Sequence, residues 1–175
     1  MKKITVFSAV LLLFAFQAAA SEYADAVTRA VERLVNAERT KAGLAPFKRS
    51  AKLPAISLAH SRDMATRSYI AHINPEGLDP SARAKKAGYN IVKKRGNTIR
   101  TGVGENLYEH QSVMRDEKGE RPYLESAQKV AQAAVKGWMS SPGHRKNILN
   151  PDYGYFGTGV AVSKDKKIKI TQMFF

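Results

Sequence analysis

The chain has 175 residues, no cysteine, 29 Lys and Arg against 15 Asp and Glu, and a formal net charge of +14. Without cysteine it holds no disulfide, no thiolate metal site and no lipidated cysteine. Its charge favours anionic partners such as cell-wall polymers, anionic lipid headgroups or nucleic acid, and carries no information on fold.

Residues 1–20 pair a basic start, Lys2 and Lys3, with an apolar run from Ile4 to Phe16 and a small-residue site at Ala18-Ala19-Ala20. That is the pattern of a secretory signal peptide cleaved after Ala20, too short for a membrane span of about 20 residues. The expectation is a secreted or periplasmic monomer with no transmembrane segment after cleavage. Residues 21–175 then form a single domain that buries about 68–70% of its unfolded surface. Loss of Lys2 and Lys3 leaves it at +12.

A first helix is expected over 22–42, where Ala24, Val27, Val31, Leu34 and Val35 recur at helical spacing and Gly43 stops it. A second runs over about 51–70, with Ser50 as N-cap and Pro54 in the first turn, where it costs no hydrogen bond. Leu53, Ile56, His60 and Met64 share its inner face. Asn74-Pro75-Glu76-Gly77 reads as a turn, followed by a short helix over 80–87 that Gly88 ends. Weak strands are expected in 89–107 around a Gly96-Asn97 turn, then a polar excursion over about 109–121. A third long helix is expected over 122–140. Its stripe of Leu124, Ala127, Ala131, Ala134, Val135 and Trp138 implies close approach to a sheet, and Pro142-Gly143 ends it. Strands Tyr155–Ser163 and Ile168–Phe175, turning at Asp165-Lys166, close the chain. Helices first, then mixed elements, then a hairpin indicate an α+β fold with an antiparallel sheet.

The usual serine-hydrolase, zincin, P-loop and dinucleotide motifs are absent. Four histidines remain. His60 reads as a satisfied core or boundary histidine and His110 as solvated. His72 and His144 each stand at a helix exit beside a Pro-Gly turn, where a histidine either steadies the turn or meets a ligand. Glu105 lies inside an apolar strand-like segment and needs partners there, either backbone N–H groups or the two histidines. His72, Glu105 and His144 together would make a Zn²⁺ set with an open fourth position. The basic runs Lys85-Lys86, Lys93-Lys94-Arg95 and Lys164–Lys169 read as solvated surface or as a polyanion-facing patch; specific nucleic-acid motifs are missing.

Several of these residues also carry a resemblance. They include Leu34 to Arg39 with Gly43-Leu44, Ala71-His72 with the 74–77 turn, Ala87-Gly88-Tyr89 and Gly104-Glu105-Asn106-Leu107. Further along come Gly137-Trp138-Met139, Ser141 to Pro151, Gly157 to Ala161 and Thr171 to Phe174. This ordered set, over about 30–175, resembles bacterial members of the CAP superfamily, also called the SCP domain. The resemblance implies an α-β-α sandwich with a central antiparallel sheet, and a cleft with a cation-binding tetrad of two histidines and two glutamates. His72 and Glu105 match the first histidine and one glutamate. Ser141 stands where the second glutamate is expected and Lys169 where the second histidine is, so His144 is the candidate replacement ligand. The implied function is an exported, non-catalytic binding module for a divalent cation, Zn²⁺ or another, or for a small polar, lipid or sterol ligand. The alternatives are a metal-dependent peptidase or esterase using Glu105, His72 and His144, and a basic protein that binds cell wall or another polyanion.

Overall fold

The computed structural model describes residues 6–111, 113–115 and 122–175. The basic start of the expected signal peptide and residues 116–121 of the expected polar excursion lie outside the described residues. Helix α1 spans Val6–Lys41, so helix continues unbroken from the leader-like segment into the expected first helix. Among the described residues, no helix is long and apolar enough to cross a membrane. Val27, Val31 and Val35, one turn apart, are fully buried. Gly43, at φ +73°, reverses the chain after the last turn.

The two-residue strand β1 (Lys48–Arg49) was not expected. Ser50 Oγ then accepts from the backbone N–H groups of Lys52 and Leu53, both at 3.3 Å, at the start of α2 (Leu53–Arg67). Helix α3 (Pro80–Lys86) is capped by Asp79, whose carboxylate accepts from Ala82 N at 2.7 Å. Strands β2 (Val92–Arg95) and β3 (Thr98–Thr101) form a hairpin about the expected Gly96-Asn97 turn. Strand β4 runs Gly104–Gln111 and so takes in the start of the expected excursion.

The expected helix over 122–140 starts five residues late. Strand β6 (Pro122–Leu124) pairs with β5 (Val113–Arg115), and α4 begins at Ala127. Ser126 sets that start, because its hydroxyl accepts from Lys129 N at 3.3 Å and satisfies a first-turn donor. After α4 (Ala127–Ser140), Pro142-Gly143 opens a helix rather than ending one. Proline at the first position of α5 (Pro142–Ile148) forfeits no hydrogen bond. Strands β7 (Tyr155–Val162) and β8 (Lys167–Phe174) complete the chain.

The sheet order is β1-β7-β8-β4, antiparallel except for β1, which runs parallel to β7. Helices α1 and α4 cover one face with α5 beside them, and α2 covers the other. This is the α-β-α sandwich. The alanines of α4 meet α1 more than the sheet. The close approach to strands belongs to α2 instead. A Cβ on Gly157 would stand 2.3 Å from Pro54 N, and one on Gly159 2.1 Å from Leu58 N. With no side chains between, Ser57 and Ser61 on α2 hydrogen-bond the Gly157 and Gly159 carbonyls, each at 2.9 Å.

Candidate functional site

Glu105 is the second residue of β4, directly opposite Met173 of β8. Its side chain is 1% exposed. A carboxylate this buried stays ionised only with compensating donors. Arg83, on α3, donates from Nη2 to Glu105 Oε2 at 2.5 Å, and His72 Nδ1 meets Oε1 at 2.9 Å. Arg83 Nη1 also donates to the carbonyls of His72 (2.6 Å) and Leu78 (2.9 Å). One guanidinium thus ties the loop after α2, the turn before α3 and β4 into one unit.

His72 lies in that loop with its side chain half exposed. Its bond to Glu105 commits Nδ1–H to the carboxylate and leaves Nε2 as the nitrogen for a ligand. His144 stands on α5, whose placement against β4 rests on two side-chain amides. Asn106 Nδ2 donates to His144 O at 3.1 Å. Asn147 Nδ2 donates to Glu105 O (3.1 Å) and to Asn106 Oδ1 (2.9 Å). Burial pushes the His144 imidazole below its ordinary pKa, and the charge of His72 pushes it the same way. The imidazole is therefore held neutral by its burial and by a second histidine, not by Arg145 and Lys146 beside it in sequence.

His72 and Glu105 are hydrogen-bonded, and His144 is close enough to His72 to feel its charge. Among the described residues, however, no three His, Cys, Asp or Glu residues are grouped to hold a metal ion. Ser141 is the N-cap residue of α5 and makes no side-chain capping bond. Lys169 is buried and pairs with Glu109, across from it on β4. It stands four residues from Met173 along β8, roughly 13 Å from the Glu105 register.

Arg83, Asn106 and Asn147 were not singled out from the sequence. Asn106 had a signal in its Gly-Glu-Asn context and Asn147 in the Ser141 to Pro151 stretch; Arg83 had none. His110 is not simply solvated. It meets Glu125 Oε2 at 2.5 Å and stacks on Tyr108. His60, 1% exposed, is only half satisfied: Nε2 meets Ala71 O at 3.0 Å while Nδ1 has no partner.

Residues 32–174 match the model of the cysteine-rich secretory protein family, CAP. Over 139 residues, 79% of this chain, the sequence is 34% identical to the uncharacterized protein YkwD of Bacillus subtilis, and it spans 44% of that relative's length. The fold is similar to an extracellular SCP-domain protein of Bacillus anthracis (TM-score 0.65, 22% identity, 89% of this chain, 42% of that one). It is also similar to an outer surface protein of Borrelia burgdorferi (TM-score 0.62, 16% identity, 85% of this chain, 90% of that one).

Proposed function

Because the chain belongs to the cysteine-rich secretory protein (CAP) family, we propose that it is an exported binding module whose cleft holds a small polar ligand between His72 and His144, without turnover. Export rests on the leader-like residues 1–20 and on similarity to proteins described as extracellular or outer-surface.

The observation that carries the binding reading is the engagement of Glu105. One carboxylate oxygen is taken by His72 and the other by Arg83, in a side chain 1% exposed. A general base needs a lone pair within reach of the proton it removes. Glu105 has spare lone pairs, but with both oxygens engaged and the side chain 1% exposed none lies within reach of a ligand, and the carboxylate acts instead to orient His72. What faces a ligand is imidazole: half-exposed His72 and neutral His144 beside it.

The residues fit a resident zinc poorly. Tetrahedral zinc takes three or four protein donors, and no such group converges among the described residues. A metal-dependent hydrolase would need the same cation and a free carboxylate, so both observations weigh against it. Metal analysis of the purified protein, with His72→Ala and His144→Ala beside it, tests this. Near-zero metal in all three is expected; stoichiometric metal lost in both variants would overturn the metal-free reading. Imidazole ¹⁵N shifts during titration with amino acids, polyols and carboxylates test the ligand site. His72 and His144 should move together, and the absence of any joint movement counts against it.

A second reading rests on a separate observation. A groove of about 540 Å³ is lined by Arg100, Arg145 and Lys146, all three exposed, with Arg100 paired to Asp152 on the same wall. We infer that this face meets anionic envelope polymer. Binding should fall steeply with salt and in the Arg145→Glu, Lys146→Glu double variant. Binding indifferent to ionic strength would exclude it.

A further inference from the structure

A groove lined by neither His72 nor His144 runs along α2. It has a volume of about 600 Å³ and lies between the outer side of α2, the 74–78 turn and α3. Its α2 wall carries Ala55 and Ala59, both exposed, with Ile56 between them. Small apolar walls of this kind admit a backbone at close range. Its two ends differ in charge. Lys52 and Lys86 stand at one end, where Lys52 Nζ reaches Gly88 O at 3.0 Å. Asp63 and Glu76 stand at the other, drawn together by Arg67, which bonds both.

Two of the lining residues each hold a buried polar atom with no partner among the described residues, His60 Nδ1 and Arg83 Nε. His60 is 1% exposed and the Arg83 side chain 9%. Their chemistry is complementary. His60 Nε2 faces the Ala71 carbonyl and must carry the hydrogen, so Nδ1 holds a lone pair and accepts. Burial, with the charge of Arg83 second, holds that imidazole neutral. Arg83 Nε–H can only donate. A ligand that satisfies both needs one N–H or O–H donor and one acceptor. A fixed charge suits neither: an anion meets the lone pair of His60, and a cation meets the Arg83 guanidinium.

A peptide backbone has these properties in order: an amide N–H, a C=O, and opposite charges at its two ends. Lengths agree. Lys52 to Asp63 is eleven residues of helix, about 16 Å. An extended chain rising about 3.3 Å per residue covers that in roughly five residues. We propose that the α2–α3 groove binds a short peptide of about five residues with small apolar side chains. Its amino end lies toward Asp63 and Glu76, its carboxylate toward Lys52 and Lys86, and a central amide sits on His60 and Arg83. Because both polar atoms are buried, the amide reaches them only as the Arg83 side chain parts from the α2 wall, while the ends stay at the open rim. The groove shares Arg83 with the Glu105 site but is lined by neither His72 nor His144, and it requires no metal.

The test is an NMR titration of ¹⁵N-labelled protein in EDTA with penta-alanine, its N-acetylated and C-amidated form, and 1-octanol. Penta-alanine should give saturable shifts along α2 and α3 and move the His60 Nδ1 resonance upfield as its lone pair accepts. Capping both ends should weaken binding several-fold. Ala55→Trp and Ala59→Trp fill the groove from exposed positions and should abolish the shifts in a protein that still melts cooperatively. The proposal is overturned by no saturable shift at millimolar peptide, by binding unchanged in both tryptophan variants, or by octanol binding where peptide does not. Equal binding of capped and free peptide would overturn the assignment of the charged ends.

Discussion

At the scale of single residues, the Glu105–Arg83 pair is the interaction on which the cleft depends. Its charges are buried, and removing one partner leaves the other uncompensated, which in such pairs costs about 3–5 kcal/mol. Glu105→Gln keeps the shape but loses the charge. Urea denaturation should show a loss toward the lower end of that range, and the His72 ring should lose its fixed orientation. A loss within a few tenths of a kcal/mol would mean the pair contributes little. The two depressed histidines set a pH dependence. His60 and His144 have folded pKa values below the unfolded one of about 6.5. The native state then binds fewer protons than the unfolded chain, so stability rises with pH. It should be complete above about pH 6.5 and decline below that, through the folded values. Denaturant midpoints across this range check the direction, and His144→Gln should flatten the slope. At this scale His72 and Glu105 were legible, because a carboxylate in an apolar segment and a histidine by a turn are conspicuous. Arg83 was not. It is one of 29 cationic residues, and its role appears only when α3 docks against β4, 22 residues on.

At the scale of elements, the contact of α2 with β7 is the least forgiving. The nearest atoms to an added Cβ on Gly159 are backbone atoms of Ser57 and Leu58, which have no rotamer to escape into. Gly159→Ala should cost at least the upper end of the about 1–3 kcal/mol typical of overpacking. A thermal melt reads this directly, and an unchanged midpoint would mean that α2 shifts freely. The glycines were visible in sequence, but the close approach was assigned to the alanines of α4, because small residues on a helix and on a strand give the same signal. The late start of α4 has a similar cause. Leu124 happens to fit the helical spacing of the alanines, and only the Ser126 cap and the β5–β6 pairing decide against it. Strand β1 has two residues and no period to detect; its partner Tyr155 lies far along the chain.

At the scale of the molecule, the layer order came from the family resemblance and not from composition. The described core runs from Val27 to Phe174, with Tyr23 and Ala24 packed against it. A chain of residues 21–175 should therefore melt within a few degrees of the full-length protein, in one transition, by circular dichroism. A large drop would mean that the first 20 residues belong to the fold. The seam between α2 and the sheet has a further consequence for compressibility. Hydrostatic pressure unfolds proteins by eliminating internal voids, and a helix resting backbone-to-backbone on two glycines leaves almost none to eliminate. Under pressure, the amides of α2, β7 and β8 should be the last to exchange, after those of the α1–α4 layer. The outer wall of the peptide groove and the loop that carries His72 would then keep their places while the opposite layer loosens.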